Sequence, residues 1–177
     1  MKTKNSTTSV ILLIGGEGSR FSSMNEPPKQ LSKLNKDYIL IHILQHFKKF
    51  GLNHFIFPLG HKKNFFEKFF NSKINIKKYK LNILNKSFSV KDLKKNKINI
   101  SIFNAGKKTS KMNRVMKSLR YIIKEDLLIV YGDDLSNINL SQVFKKYNEY
   151  NKKKAIVTIY KKKSQYGHVI VNKNGFV

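Results

Sequence analysis

The chain has 177 residues, 40% apolar and 12% aromatic, which is enough for one domain, residues 1–177, with a buried core and excludes a disordered polypeptide. It contains no cysteine, so a disulfide framework and a thiolate metal site are both excluded. Its formal net charge of +26 invites a nucleic-acid reading, since clustered cations bind phosphate backbones by releasing counterions. However, Arg20, Arg114 and Arg120 are the only arginines among 36 basic residues, and base-reading and bidentate phosphate sites favour arginine. The lysines are spread along the chain, and their abundance with Asn and Ile is the codon bias of an AT-rich genome. A solvated surface therefore accounts for the charge, and a basic nucleic-acid-binding protein remains the last alternative.

Lys2 and Lys4 precede an apolar run at residues 10–14, too short for a signal-peptide core or a membrane span. A cytoplasmic protein with no membrane partner is expected. Residues 10–14, 55–59 and 127–131 are continuous apolar runs and predict parallel strands buried on both faces. Leu40, Ile43, Leu44 and Phe47 share a helical face that Gly51 ends, and Phe65, Phe66, Phe69 and Phe70 form a second stripe. Residues 72–96 fit no single period and are read as an insertion with short strands. Ile98, Ile100 and Ile102 alternate with polar residues, which predicts a half-exposed strand. Val115, Met116, Leu119 and Ile123 predict a third helix face, and Leu140, Val143, Phe144 and Tyr147 a fourth, with Asn139 as its cap. Residues 155–160 and 167–171 are read as strands. The alternation implies a doubly wound, mostly parallel, Rossmann-like α/β sheet.

The segment after the first strand carries the chemistry. Gly15, Gly16, Glu17, Gly18, Ser19 and Arg20 follow the strand, and Lys29 follows Pro28. Glycines at the carboxyl end of a parallel strand let the backbone approach a phosphate or a base, and nearby cations neutralise a triphosphate. The P-loop pattern and the dinucleotide pattern Gly-x-Gly-x-x-Gly are both absent. Asp133 ends a buried strand, where a metal-ligating carboxylate is favoured over a turn cap, and Asp134 is read as structural or as an outer neighbour. His42 and His46 are spaced as a helical zinc pair, but no Glu follows His42 and the helix shows an ordinary packing stripe.

The pattern Gly-Gly-x-Gly-Ser-Arg followed by Pro-Lys resembles the signature of the sugar-1-phosphate nucleotidyltransferases, most closely the branch acting on CTP and glucose 1-phosphate. The likeness continues through residues 41–44, 50–53 and 59–60, skips residues 72–96, and resumes at Ala105-Gly106, Thr109, Arg114, Tyr131-Gly132-Asp133 and Tyr166-Gly167. It implies an enzyme of surface polysaccharide synthesis that makes a CDP-sugar and pyrophosphate. Leu13, Ile14 and the residues of the glycine segment would hold the nucleotide, with Arg20 and Lys29 on the phosphates. Thr109, Arg114 and Gly132 would add nucleotide contacts, Tyr166 and Gly167 would meet the sugar, and Asp133 would bind Mg2+. The implied catalytic residues are Arg20, Lys29 and Asp133. The implied partners are a nucleoside triphosphate and a sugar 1-phosphate, and homo-oligomerisation is left open.

Four features depart from the pattern: Gln30 replaces a second proline, Glu17 an apolar residue, Met112-Asn113 a Gly-Gly pair, and the loop before Lys29 is one residue shorter. Family members also continue past the point corresponding to Val177, with a lysine for the sugar phosphate and a second metal-binding Asp. The chain is therefore expected to be a fragment or a nucleotide-binding module of weak turnover. A sugar nucleotidyltransferase using another base is a further alternative.

Overall fold

The computed structural model describes residues 8–14, 16, 25–84, 86, 88–123, 125–133, 135–151 and 153–159. The chain divides into two compact units, Met1–Leu140 and Ser141–Val177. In the first, five strands form one parallel sheet: β1 (Thr8–Leu13), β4 (His54–Leu59), β5 (Leu81–Ile83), β6 (Ile98–Asn104) and β7 (Asp126–Tyr131). Their spatial order is β5-β6-β4-β1-β7. A two-stranded hairpin, β2 (Lys33–Leu34) with β3 (Asp37–Tyr38), lies beside it in sequence. The helices of this unit are α1 (Ile39–Lys49), α2 (Lys63–Asn71), α3 (Lys73–Lys78) and α4 (Lys111–Ser118). Of the second unit, the described structure is α5 (Leu140–Glu149), most of which lies within that unit, and the irregular residues after it. Among the described residues no helix is long and apolar enough to cross a membrane.

Both faces of the sheet are covered, which is why β1 and β4 read as unbroken apolar runs. Val10 pairs in register with Phe55 and Ile11 with Ile56, so alternate residues supply opposite faces. One face carries Phe55 and Phe57, whose rings meet Phe47 of α1 at 6.5 Å and Phe70 of α2 at 5.1 Å between centroids. The other face packs Ile11, Ile56 and Phe103 with Ala105 and Tyr121, and Phe103 stacks on Tyr121 at 4.6 Å. Helix α1 stops where the chain turns through Gly51 at φ 82°, a conformation glycine adopts without strain.

Several expectations are corrected. β7 is not buried on both faces: it ends the described strand order, and Ile129 and Tyr131 are each 49% exposed. Strand β6 is not half-exposed. It lies between β5 and β4, and its polar residues Asn99 and Ser101 are buried because each has partners. Asn99 accepts from the Lys94 amide at 2.8 Å and from Asn82 at 2.7 Å, and it donates to Asn53 O at 3.1 Å. Helix α4 is buried through Arg114 and Ser118 rather than Met116 and Leu119, which are exposed. Residues 72–96 hold helix α3 as well as a strand, and β5 extends the main sheet by pairing with β6. Residues 155–159 form no strand, and Val157 and Ile159 are exposed. Residues 160 and 167–171 lie outside the described residues.

Candidate nucleotide site

The chain builds outward from β1 through β4 and, by way of the edge strand β5, to β6, then returns to lay β7 on the other side of β1. In open α/β sheets such a reversal opens a crevice beyond the carboxyl ends of the strands, where ligands bind. Here that crevice lies at the exits of β1 and β7. The Gly132 amide donates to Leu13 O at 3.3 Å, which joins two motifs far apart in sequence. A Cβ at Gly132 would overlap the buried side chain of Ile14, so only glycine fits this approach. Gly16 is different. It is exposed, and a Cβ there would meet no described atom within 4 Å, so packing does not demand the glycine. Close approach of a ligand to the backbone would.

Asp133 stands exposed on the turn immediately after Gly132. Its carboxylate supplies hard oxygen donors, and magnesium takes few protein carboxylates when phosphate oxygens and waters complete its shell. Among the described residues no group of three His, Asp or Glu side chains forms a metal cage. Lys29 is exposed on a 3-10 turn, Lys29–Leu31, anchored by buried Leu31 and capped by the Ser32 amide on Lys29 O. No described hydrogen bond joins its ammonium to the strand exits.

A third piece of the mouth is the loop after β6. Gly106 has φ 101°, and a side chain there would press on the Thr109 hydroxyl. Thr109 Oγ1 donates to Ala105 O at 2.6 Å, and Lys117 Nζ donates to the same carbonyl at 2.9 Å. Arg114 is 4% exposed, and its guanidinium donates to Pro58 O, Gly106 O and Thr109 O, each at 3.0 Å. Desolvation by burial pushes its pKa down from the ordinary arginine value. The loop reaches the β7 exit through Lys111 at the start of α4, whose ammonium lies 4.8 Å from the centre of the Tyr131 ring. Sequence reading missed Lys111 and Lys117. They carry no periodic signal, and only the crossover of α4 places them.

The structure thus brings Leu13, Ile14, Gly132 and Asp133 together, and puts Thr109 and Arg114 in one loop cluster at the ends of β4 and β6. Gly15, Glu17, Gly18, Ser19, Arg20, Tyr166 and Gly167 lie outside the described residues, as does Asp134. His42 and His46 do not converge on a common point through Nε2: His42 Nε2 contacts Leu34 O at 3.0 Å and His46 Nε2 contacts Ile138 O at 3.1 Å. Arg120 is exposed and lies over the Phe103 and Tyr121 rings at 5.2 Å. A cleft of about 660 Å³ opens beside β6, lined by Glu67, Lys86 and Arg120 among others, and involves neither β1 nor β7.

The fold and the contact of Leu13 with the Gly132-Asp133 turn define an α/β protein whose strand order reverses beside β1. The family model for nucleotidyl transferases matches residues 9–177, and the chain belongs to that family. It is 31% identical over 163 residues to a probable glucose-1-phosphate cytidylyltransferase of Bacillus subtilis (strain 168). That match covers 91% of this chain and 63% of the relative's length. Among solved structures the fold is similar to a UDP-glucose pyrophosphorylase complexed with UDP-glucose, with TM-score 0.60 and 16% identity over 81% of this chain and 54% of that one. It is also similar to HddC from Yersinia pseudotuberculosis complexed with GMP-PN, with TM-score 0.54 and 13% identity over 78% of this chain and 53% of that one.

Proposed function

We propose that the protein transfers a nucleotidyl group from CTP to a sugar 1-phosphate, with glucose 1-phosphate as the acceptor. The observation that carries this reading is the contact of the β1 and β7 exits, where the Gly132 amide meets Leu13 O at 3.3 Å beside Asp133. The name of the Bacillus relative supports the choice of cytidine and glucose.

In the proposed reaction an oxygen of the sugar phosphate attacks the α-phosphorus of the triphosphate in line. The bond from that phosphorus to the bridging oxygen of the β-phosphate breaks, and pyrophosphate leaves with the bond's electron pair. The backbone of Leu13, Ile14 and the glycine segment holds the nucleotide, and Arg20 and Lys29 hold its phosphates. Asp133 holds magnesium, an ion that when bound offsets the charge on the departing pyrophosphate. Tyr166 and Gly167 are the residues proposed for the sugar. The net charge of +26 favours the approach of both anions.

The test is calorimetric titration with CTP, UTP, GTP and ATP, and with duplex DNA at two salt concentrations. Saturable binding with CTP strongest is expected. Preference for another nucleotide would keep the reaction class and reject the base. DNA binding with a steep salt slope and no nucleotide saturation would reject the enzyme reading in favour of a nucleic-acid partner.

A further inference from the structure

We infer that Arg114 is a positioning residue that acts from beneath the loop of residues 105–110, not a side chain that grips the nucleotide's phosphates. A guanidinium has five N–H donors. Four contacts to backbone carbonyls use this one: Thr109 O through Nε, Pro58 O through Nη1, and Gly106 O and Lys107 O, the last at 3.3 Å, through Nη2. Among the described residues no carboxylate pairs with it. Its own backbone amide donates to Ser110 O at 3.0 Å, so side chain and main chain hold both ends of the loop.

The surroundings are built for this strut. Gly60 lies against the guanidinium, and a Cβ there would overlap its nitrogens and Cζ. The fourth loop carbonyl held by a side chain, Ala105 O, is taken by Thr109 and Lys117. The loop carbonyls at 105, 106, 107 and 109 thus turn inward onto side chains, and the exposed side chains of Lys107 and Lys108 turn outward. Because Pro58 belongs to β4 and the loop leaves β6, the guanidinium fixes the loop to the carboxyl edge of the sheet. Any influence of Arg114 on a nucleotide passes through the loop's shape. Lysine cannot replace it, since one ammonium offers three donors from a single point and the four carbonyls demand a planar fork.

The binding half of this inference rests on the proposed nucleotide site, and the loop half does not. The experiment uses the full chain, with Arg114→Lys and Gly60→Ala, the second disturbing the strut without touching its charge. Both are expected to speed tryptic cleavage after Lys107 or Lys108 about tenfold or more, and to weaken CMP and CTP binding by the same factor, about ten- to a hundredfold. Wild-type loop protection in Arg114→Lys would overturn the strut, as would a loss confined to CTP, which is the mark of a direct phosphate contact. If Gly60→Ala fails to fold, Arg114→Lys alone carries both readouts. Faster cleavage in the variants of a chain that binds neither nucleotide would uphold the strut and reject the nucleotide site.

Discussion

Of two buried polar clusters, one lies within the sheet and the other joins α4 and a loop to the sheet's carboxyl edge. Nearer the amino ends of the strands, His54 of β4 is wholly buried between Ser9 of β1 and Ser101 of β6, with its ring nitrogens 3.0 and 3.1 Å from the two hydroxyls. At the carboxyl ends, Arg114 is nearly as buried and donates to carbonyls of a loop and of the strand end Pro58. The first cluster joins three neighbouring strands side chain to side chain. The second shapes a loop at the edge where α/β sheets take ligands. Position along the strand separates the two clusters: the Ser-His-Ser contacts lie within the sheet, and the Arg114 contacts lie at its carboxyl edge.

The comparison breaks first at His54. His54→Ala leaves two buried hydroxyls without their partner and opens a cavity, so a loss of about 3–4 kcal/mol in unfolding free energy is expected. Nucleotide affinity of the folded fraction should stay unchanged. Denaturant unfolding beside titration reads both, and an affinity loss without a stability loss would place His54 in the site. Gly132→Ala comes next. Its methyl group must displace Ile14, at about 1–3 kcal/mol of stability, and here affinity should fall as well. A variant that is destabilised yet binds normally would detach the β7 exit from the site.

Lys29→Ala is smaller. The side chain is exposed, so loss of its phosphate contact is expected to weaken CTP binding by about 1.5 kcal/mol, the low end for hydrogen bonds to charged groups, without changing stability. Unaltered affinity would remove Lys29 from the site. The smallest effect concerns Asp37 of β3, which meets Lys78 of α3 at 2.9 Å. Hydrogen bonding to the Lys78 ammonium holds its carboxyl below the ordinary 3.8. A carboxyl lowered in the folded state contributes stability that is complete above its unfolded value and fades as pH falls toward the folded one. Asp37→Asn should therefore lose this small contribution at neutral pH and show a flatter acid limb, the two proteins converging in stability as pH falls through about 4 and below.

The legible parts of the molecule were those with a strong period or a local motif. β1, β4, α1 and α2 follow from runs and stripes that packing on both sheet faces enforces. The Gly132-Asp133 turn was readable because glycine and acid follow an apolar run. What sequence could not supply was partnership across space. Alternation at residues 98–102 suggested a half-exposed strand because Asn99 and Ser101 are polar, and nothing local announces Asn82, Asn53 and His54 as their partners. In α4 the buried stripe runs through Arg114 and Ser118, which no hydrophobic periodicity marks. Arg114 was expected among the nucleotide contacts because it matches a position of the family pattern. Three backbone carbonyls of the loop just before α4 and one of β4 take most of its donors, and the β4 carbonyl becomes a neighbour only once β4 and β6 are side by side.

The most direct test of the site at the β1 and β7 exits is calorimetric titration of CTP into the wild-type chain and Asp133→Asn, each with and without magnesium. Magnesium should tighten CTP binding in the wild type. Asp133→Asn should lose that increment and keep the magnesium-free affinity nearly intact. An equal magnesium increment in both proteins would contradict the placement of the metal at Asp133, and with it the assignment of the two strand exits as one nucleotide site.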